Sequence, residues 1–138
     1  MKLIITCFFA LFIGLLFSSF SSNRIGVKIK NHDEKPFIIV SEMPQFPGGK
    51  TAMDKYITKN LMYPFEAIKH KIQGKVNVEF IVDKDGSLTE IKTVGVKIGY
   101  GLEEQALKIF NSMPKWTPGK QDGKIVLVYM MVPVIYNY

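Results

Sequence analysis

The residue types that could carry chemistry are few, and each meets an obstacle in its surroundings. Asp83-Lys84-Asp85-Gly86 opens like a calcium-binding loop, in which alternate carboxylates would converge on the ion. The later ligands and a closing Glu are absent, and Leu88 and Ile91 stand where a strand would put them, so the stretch reads as a hairpin turn. His32 and His70 each lack a second His or a carboxylate at ligand spacing and read as surface histidines. Glu103 and Glu104 are neighbours on a predicted helix and therefore point in different directions. With no base or nucleophile nearby they suit a first turn favoured by the helix dipole. Gly48-Gly49-Lys50-Thr51 has the end of a phosphate loop without its opening Gly, since Gln45 stands there, and without a preceding apolar strand. Trp116 reads as a core plug beside a turn. No catalytic constellation, cofactor site or metal site is expected.

The chain has 138 residues, the length of one ordinary domain. Its 18 Lys and Arg outnumber 12 Asp and Glu but alternate with acids and polar residues along the sequence, which describes a solvated surface and not the basic stripe of a nucleic-acid reader. Residues 3–17 are uncharged and apolar, follow Lys2, and give way to a Ser-rich stretch ending at Ser22. Basic start, apolar middle and small-residue exit are the layout of a secretory signal peptide. Counted through Phe20 the run also approaches the lower limit of a membrane anchor, so residues 1–22 are expected to be either a cleaved signal or an N-terminal anchor, the sole point of membrane contact. Cys7 lies in mid-run, badly placed for lipid attachment, and it is the only cysteine. Without that segment the exported protein has neither disulfide nor thiol.

Residues 23–41 show no sustained period and are expected to be a linker or a loosely attached strand; the domain proper is expected over 42–138. Two prolines and two glycines make Pro44–Gly49 a turn. A helix should follow from Lys50 or Thr51, with Met53, Tyr56, Ile57 and Leu61 on one face and Tyr63-Pro64 as its stop. A short helix over 64–71 comes next. In Gly74–Val82 the residues Val76, Val78, Phe80 and Val82 alternate with polar ones, a half-buried strand, and the Asp-Gly turn returns the chain over 87–96. Leu102, Ala106, Ile109, Phe110 and Met113 mark a second main helix that ends at Pro114. Phe80, Val82, Phe110 and Trp116 are the expected core.

The final apolar run, Ile125 to Tyr136, reads as one unbroken strand, apolar on both faces. The fold class is therefore α+β, two main helices packed on one face of a small three-stranded antiparallel sheet. The crossover helix makes the second and third strands run in the same direction, so an all-antiparallel sheet must seat the third beside the first, in the order 2-1-3. The last strand then lies on an edge, where Pro133 is tolerated because no neighbour needs its missing N–H. A long apolar edge is a template for another chain, either an extended foreign peptide or a second copy in a strand-exchanged homodimer. Lys124, Val126, Val128, Met130, Val132, Val134 and Tyr136 mark this strand as the candidate protein-binding element, acting through main-chain pairing.

Six ordered segments carry a family pattern: Pro44–Gly49, Asn60–Pro64, Gln73–Val76, Val82–Gly86, Ser112–Lys120 and Val132–Val134. Together they resemble the C-terminal domain of the TonB family, in the form common among Bacteroidetes, over about residues 42–138. The resemblance implies a periplasmic domain of two helices against a three-stranded sheet, with no enzymatic activity, cofactor, nucleic acid or small-molecule substrate. It further implies coupling of proton-motive force to outer-membrane transporters through pairing of the last strand, here Lys124 to Tyr136, with the transporter's TonB box.

Overall fold

A computed structural model describes residues 34–137, so the expected signal or anchor at 1–22, His32 and the start of the expected linker lie outside the described residues. The elements are α1 (Gly49–Asn60), α2 (Phe65–Lys69), β1 (Gly74–Val82), β2 (Leu88–Val94), α3 (Leu102–Asn111), β3 (Lys120–Gln121), β4 (Lys124–Ile125) and β5 (Val128–Tyr136). β1, β2 and β5 form one antiparallel sheet in the order β2-β1-β5, the 2-1-3 arrangement expected for the three main strands. Its inner face carries the alternating valines of β1, and Phe80, Val82, Phe110 and Trp116 are all buried there together. Phe80 stacks at a tilt on Phe110 and meets Trp116 edge-on, with ring centroids 5.3 and 5.4 Å apart.

Gly86 closes the β1–β2 turn with φ of 82°, a backbone only glycine adopts easily. Any Cβ there would stand 2.0 Å from the Trp116 carbonyl oxygen, while the Trp116 N–H donates to the Gly86 carbonyl at 2.8 Å. The hairpin tip thus fixes the tryptophan in the core. On β2 the register shifts between Glu79 and Ile81, where Glu90 takes φ of 51° and Glu90 and Ile91 together face Phe80. This bulge is why the return strand alternates poorly in sequence.

One expectation needs correction. The last apolar run is not one strand. Lys124–Ile125 folds back on Lys120–Gln121 as a separate ribbon, and Val126 and Leu127 lie between it and β5. The cause is close packing at Gly119, where a Cβ would stand 2.6 Å from Val128 and 3.1 Å from the Glu42 carbonyl oxygen; there the Val126 N–H donates to the Gly119 carbonyl. The short second helix buries Ala67 but leaves Phe65 and Ile68 exposed. The face expected on α1 meets the core, with Ile57 buried and Met53, Tyr56 and Leu61 half-buried against it.

Residues ahead of α1 also hold to the domain. Glu42 and Lys120 exchange backbone hydrogen bonds of 3.0 and 2.8 Å, as do Gln45 and Thr117. Phe37 lies parallel beside Val128, and Val40 is buried.

Candidate peptide-docking edge

β5 has β1 on one side and, over most of its length, no strand on the other. The pleat sets which main-chain groups face outward. The Phe37 N–H donates to the Leu127 carbonyl and the Phe37 carbonyl accepts from the Tyr129 N–H, each at 2.8 Å, so odd-numbered residues direct their N–H and C=O to the outer edge. Alternation carries this on to Met131, Pro133 and Ile135, and the even-numbered residues face β1. Pro133 therefore places its missing N–H on the outer edge, as proline in a strand requires. Beyond Phe37 the outward groups are the carbonyls of Tyr129, Met131, Pro133 and Ile135 and the N–H groups of Met131 and Ile135.

The same alternation places the candidate residues read from the sequence. Val128, Val132, Val134 and Tyr136 direct buried side chains toward the helices, and Met130 is partly buried against the same core. Tyr136 donates to the Leu102 carbonyl at 2.9 Å and meets Tyr63 edge-on, tying the end of β5 to the start of α3. Burial pushes its phenol up to about 12. Lys124, in the β3–β4 ribbon, and Val126, in the link, are not part of β5. The side chains on the outer face are instead Tyr129, Met131, Pro133 and Ile135, with Met131 51% and Ile135 59% exposed. Sequence reading chose the even set because both phases are apolar. The parity becomes visible only once Phe37 and β1 are placed.

Alongside the edge runs a groove of ≈ 680 Å³. One wall is the 44–46 segment with Gly49, Lys50, Met53 and Asp54 of α1; the other is β5 from Met130 to Pro133 with Ile135, and Trp116 also lines it. Lys50 and Asp54 pair with each other at 2.7 Å across one helical turn, so the lining carries little net charge. The outer face of the sheet holds the main charged cluster near the edge. Glu79 pairs with Lys92 at 2.6 Å and accepts from the Tyr129 hydroxyl, and these two hydrogen bonds, Lys92 first, hold its carboxyl below the ordinary range.

Other candidates for chemistry are accounted for locally. The Asp83–Ser87 segment is a turn in which the Asp85 carboxylate accepts from Ser87 N–H at 3.0 Å. His70, read from the sequence as lacking a carboxylate at ligand spacing, in fact has Glu66 one helical turn before it at 3.6 Å and lies against the Tyr100 ring. Glu103, by contrast with exposed Glu104, is buried and accepts from the N–H groups of Ile98 and Gly99 at 2.5 and 3.1 Å, closing the loop onto the first turn of α3. Burial works to raise its pKa, but the backbone N–H groups of Gly99, Glu103 and Ile98 outweigh it and leave the carboxyl below its ordinary value. Among the described residues no three His, Cys, Asp or Glu side chains gather as a metal site, and no helix is long and apolar enough to cross a membrane.

No curated protein matches the chain. Among solved structures, two solution structures of the Helicobacter pylori TonB C-terminal domain are similar. One, of residues 194–285 of that protein, is 27% identical, covers 63% of this chain and 90% of its own, with a TM-score of 0.49. The other, of residues 179–285, is 26% identical and covers 67% and 86%, also at 0.49. The family described as Gram-negative bacterial TonB protein C-terminal matches residues 59–138, more than half of the chain and the whole span from the end of α1 through β5. The chain belongs to the TonB C-terminal family.

Proposed function

We propose that this is a periplasmic protein-binding module that captures an extended peptide by adding it as a fourth strand to β5, the peptide being the TonB box of an outer-membrane transporter in TonB-dependent transport. Residues 1–22 direct export. The docking element is the strand marked in the sequence by Val128, Met130, Val132, Val134 and Tyr136. Their buried side chains hold it in place, while the outward main chain of Tyr129 to Ile135 does the pairing. Lys124 and Val126 flank it. The observation that carries this reading is an edge strand with unpaired main-chain groups lying directly beside an apolar groove, the combination that strand addition requires. The reading calls for no cofactor, nucleic acid or small-molecule substrate.

Amide hydrogen exchange tests it. A TonB-box peptide from a transporter should slow exchange at Met131 and Ile135 and leave the even-numbered amides, already bonded to β1, unchanged. Protection of Met131 and Ile135 that instead grows with protein concentration in the absence of peptide, with a dimer by sedimentation, would mean that the edge is satisfied by a second copy of the chain.

A further inference from the structure

A strand added to β5 presents alternate side chains to the two faces of the sheet. Those on the helix side enter the groove under α1, so pairing by main chain alone leaves the groove unused. Trp116 lines that groove, is 4% exposed, and has the only buried side-chain nitrogen or oxygen among the described residues without a hydrogen-bond partner, its indole Nε1. Leaving such a donor unmet is costly, and in a well-packed domain it calls for an explanation. The ring cannot turn away easily, because Phe46 and Phe80 meet it edge-on at 5.8 and 5.4 Å and the Gly86 turn holds its backbone.

We propose that the groove is a side-chain specificity pocket of the docking edge, taking from the added strand a long uncharged side chain ending in a carbonyl oxygen, as in glutamine, which accepts from Trp116 Nε1. This rests on the pairing proposed above. Length follows from depth, since a short side chain would not reach a residue so fully covered. Absence of charge follows from the lining. Phe46, Met53, Met130 and Val132 are apolar, and the Lys50 ammonium is already paired with Asp54, so a buried carboxylate would lose its hydration without a free cation to meet it. Met53 and Met130 are the walls that yield to admit the stem, because an unbranched thioether side chain repacks at little cost.

Trp116 is the only tryptophan in the chain, so a single indole N–H resonance reports on the site. The probes are two short capped peptides of alternating serine and valine whose central valine is replaced by glutamine in one and by methionine, of similar length and apolar, in the other. The glutamine peptide should bind roughly 2- to 10-fold more tightly, the range of one neutral hydrogen bond, and move the indole proton downfield. Trp116→Phe should abolish that preference while both peptides still protect Met131 and Ile135. Equal affinities with an unmoved indole resonance, while those amides become protected, would overturn the pocket and leave the pairing standing. Failure of both peptides to protect the amides would refute the pairing and the pocket with it.

Discussion

Met131 and Val132 are adjacent in β5, yet proline at the two positions should have opposite consequences. Val132 sits opposite Val78 of β1, and by the pleat its N–H belongs to that ladder. Val132→Pro removes the bond, orphans a buried carbonyl at about 1–3 kcal/mol, and drives the ring against β1, for a total of roughly 3–5 kcal/mol. Set against the roughly 5–15 kcal/mol that stabilises an ordinary domain, this leaves a large unfolded fraction under mild denaturant. The Met131 N–H points to the outer edge and its side chain is half exposed, so Met131→Pro breaks no intramolecular bond and should cost under about 1 kcal/mol. Its effect falls on binding. Phe37 already uses the Tyr129 N–H and Pro133 has none, so the change leaves Ile135 as the one outward donor beyond Phe37. Peptide affinity should fall by about 5- to 150-fold, equivalent to 1–3 kcal/mol for an unmet acceptor. Urea titration followed by Trp116 fluorescence gives the stabilities, and calorimetric titration with the TonB-box peptide gives the affinities. If Met131→Pro proves as destabilising as Val132→Pro, or if Val132→Pro is benign, the pleat is the reverse of the one derived from Phe37.

Three further outcomes follow from the core and its titrating groups. Because the Tyr136 phenol is raised from 10 to about 12, its contribution is intact below pH 10 and lost between 10 and about 12, up to roughly 2–3 kcal/mol; thermal melts across that window should be flatter for Tyr136→Phe than for the wild type. Glu103 titrates below its ordinary 4.5, so its contribution is present above that value and fades as pH falls through the lowered one. Glu103→Gln should cost about 1–3 kcal/mol at neutral pH and weaken the acid dependence, as read from denaturation midpoints between pH 7 and 3. Phe110→Ala, at a position 1% exposed, should cost about 3–5 kcal/mol by urea titration; a loss below about 1 kcal/mol would show that Phe110 is not the centre of the core.

The elements legible in the sequence are those set by local periodicity. Val76, Val78, Phe80 and Val82 alternate because β1 is buried on one face, and the spacing of Leu102, Ala106, Ile109 and Phe110 follows the inner stripe of α3. Pro133 and the antiparallel constraint sufficed to put the last strand on an edge. What escaped depends on contacts distant in sequence. The break at Val126 and Leu127 comes from the fit of Gly119 against Glu42 and Val128, and nothing in an apolar run announces such a fit. The outward parity of β5 was hidden because both phases are apolar, and Phe37, which reveals it, lies in a stretch without period. The groove and the unmet Trp116 donor exist only once α1, the 44–46 segment and β5 are brought together.

Pro133 also bears on solubility. An open apolar edge invites copies of a protein to stack sheet on sheet without limit, β5 of one molecule against β2 of the next. Both edges interrupt that growth. A rigid strand laid along β5 finds no donor at Pro133, and one laid along β2 meets the Glu90 bulge, which turns the ladder out of line. Two irregular rigid edges cannot match each other residue for residue. A short flexible peptide need satisfy only β5, and it can shift its frame until one of its own carbonyls that seeks no partner lies opposite the proline. Under the strand addition proposed here, the proline would act as a frame mark for a guest strand and as a stop against fibre growth, leaving the edge open to a guest while disfavouring open-ended stacking of copies.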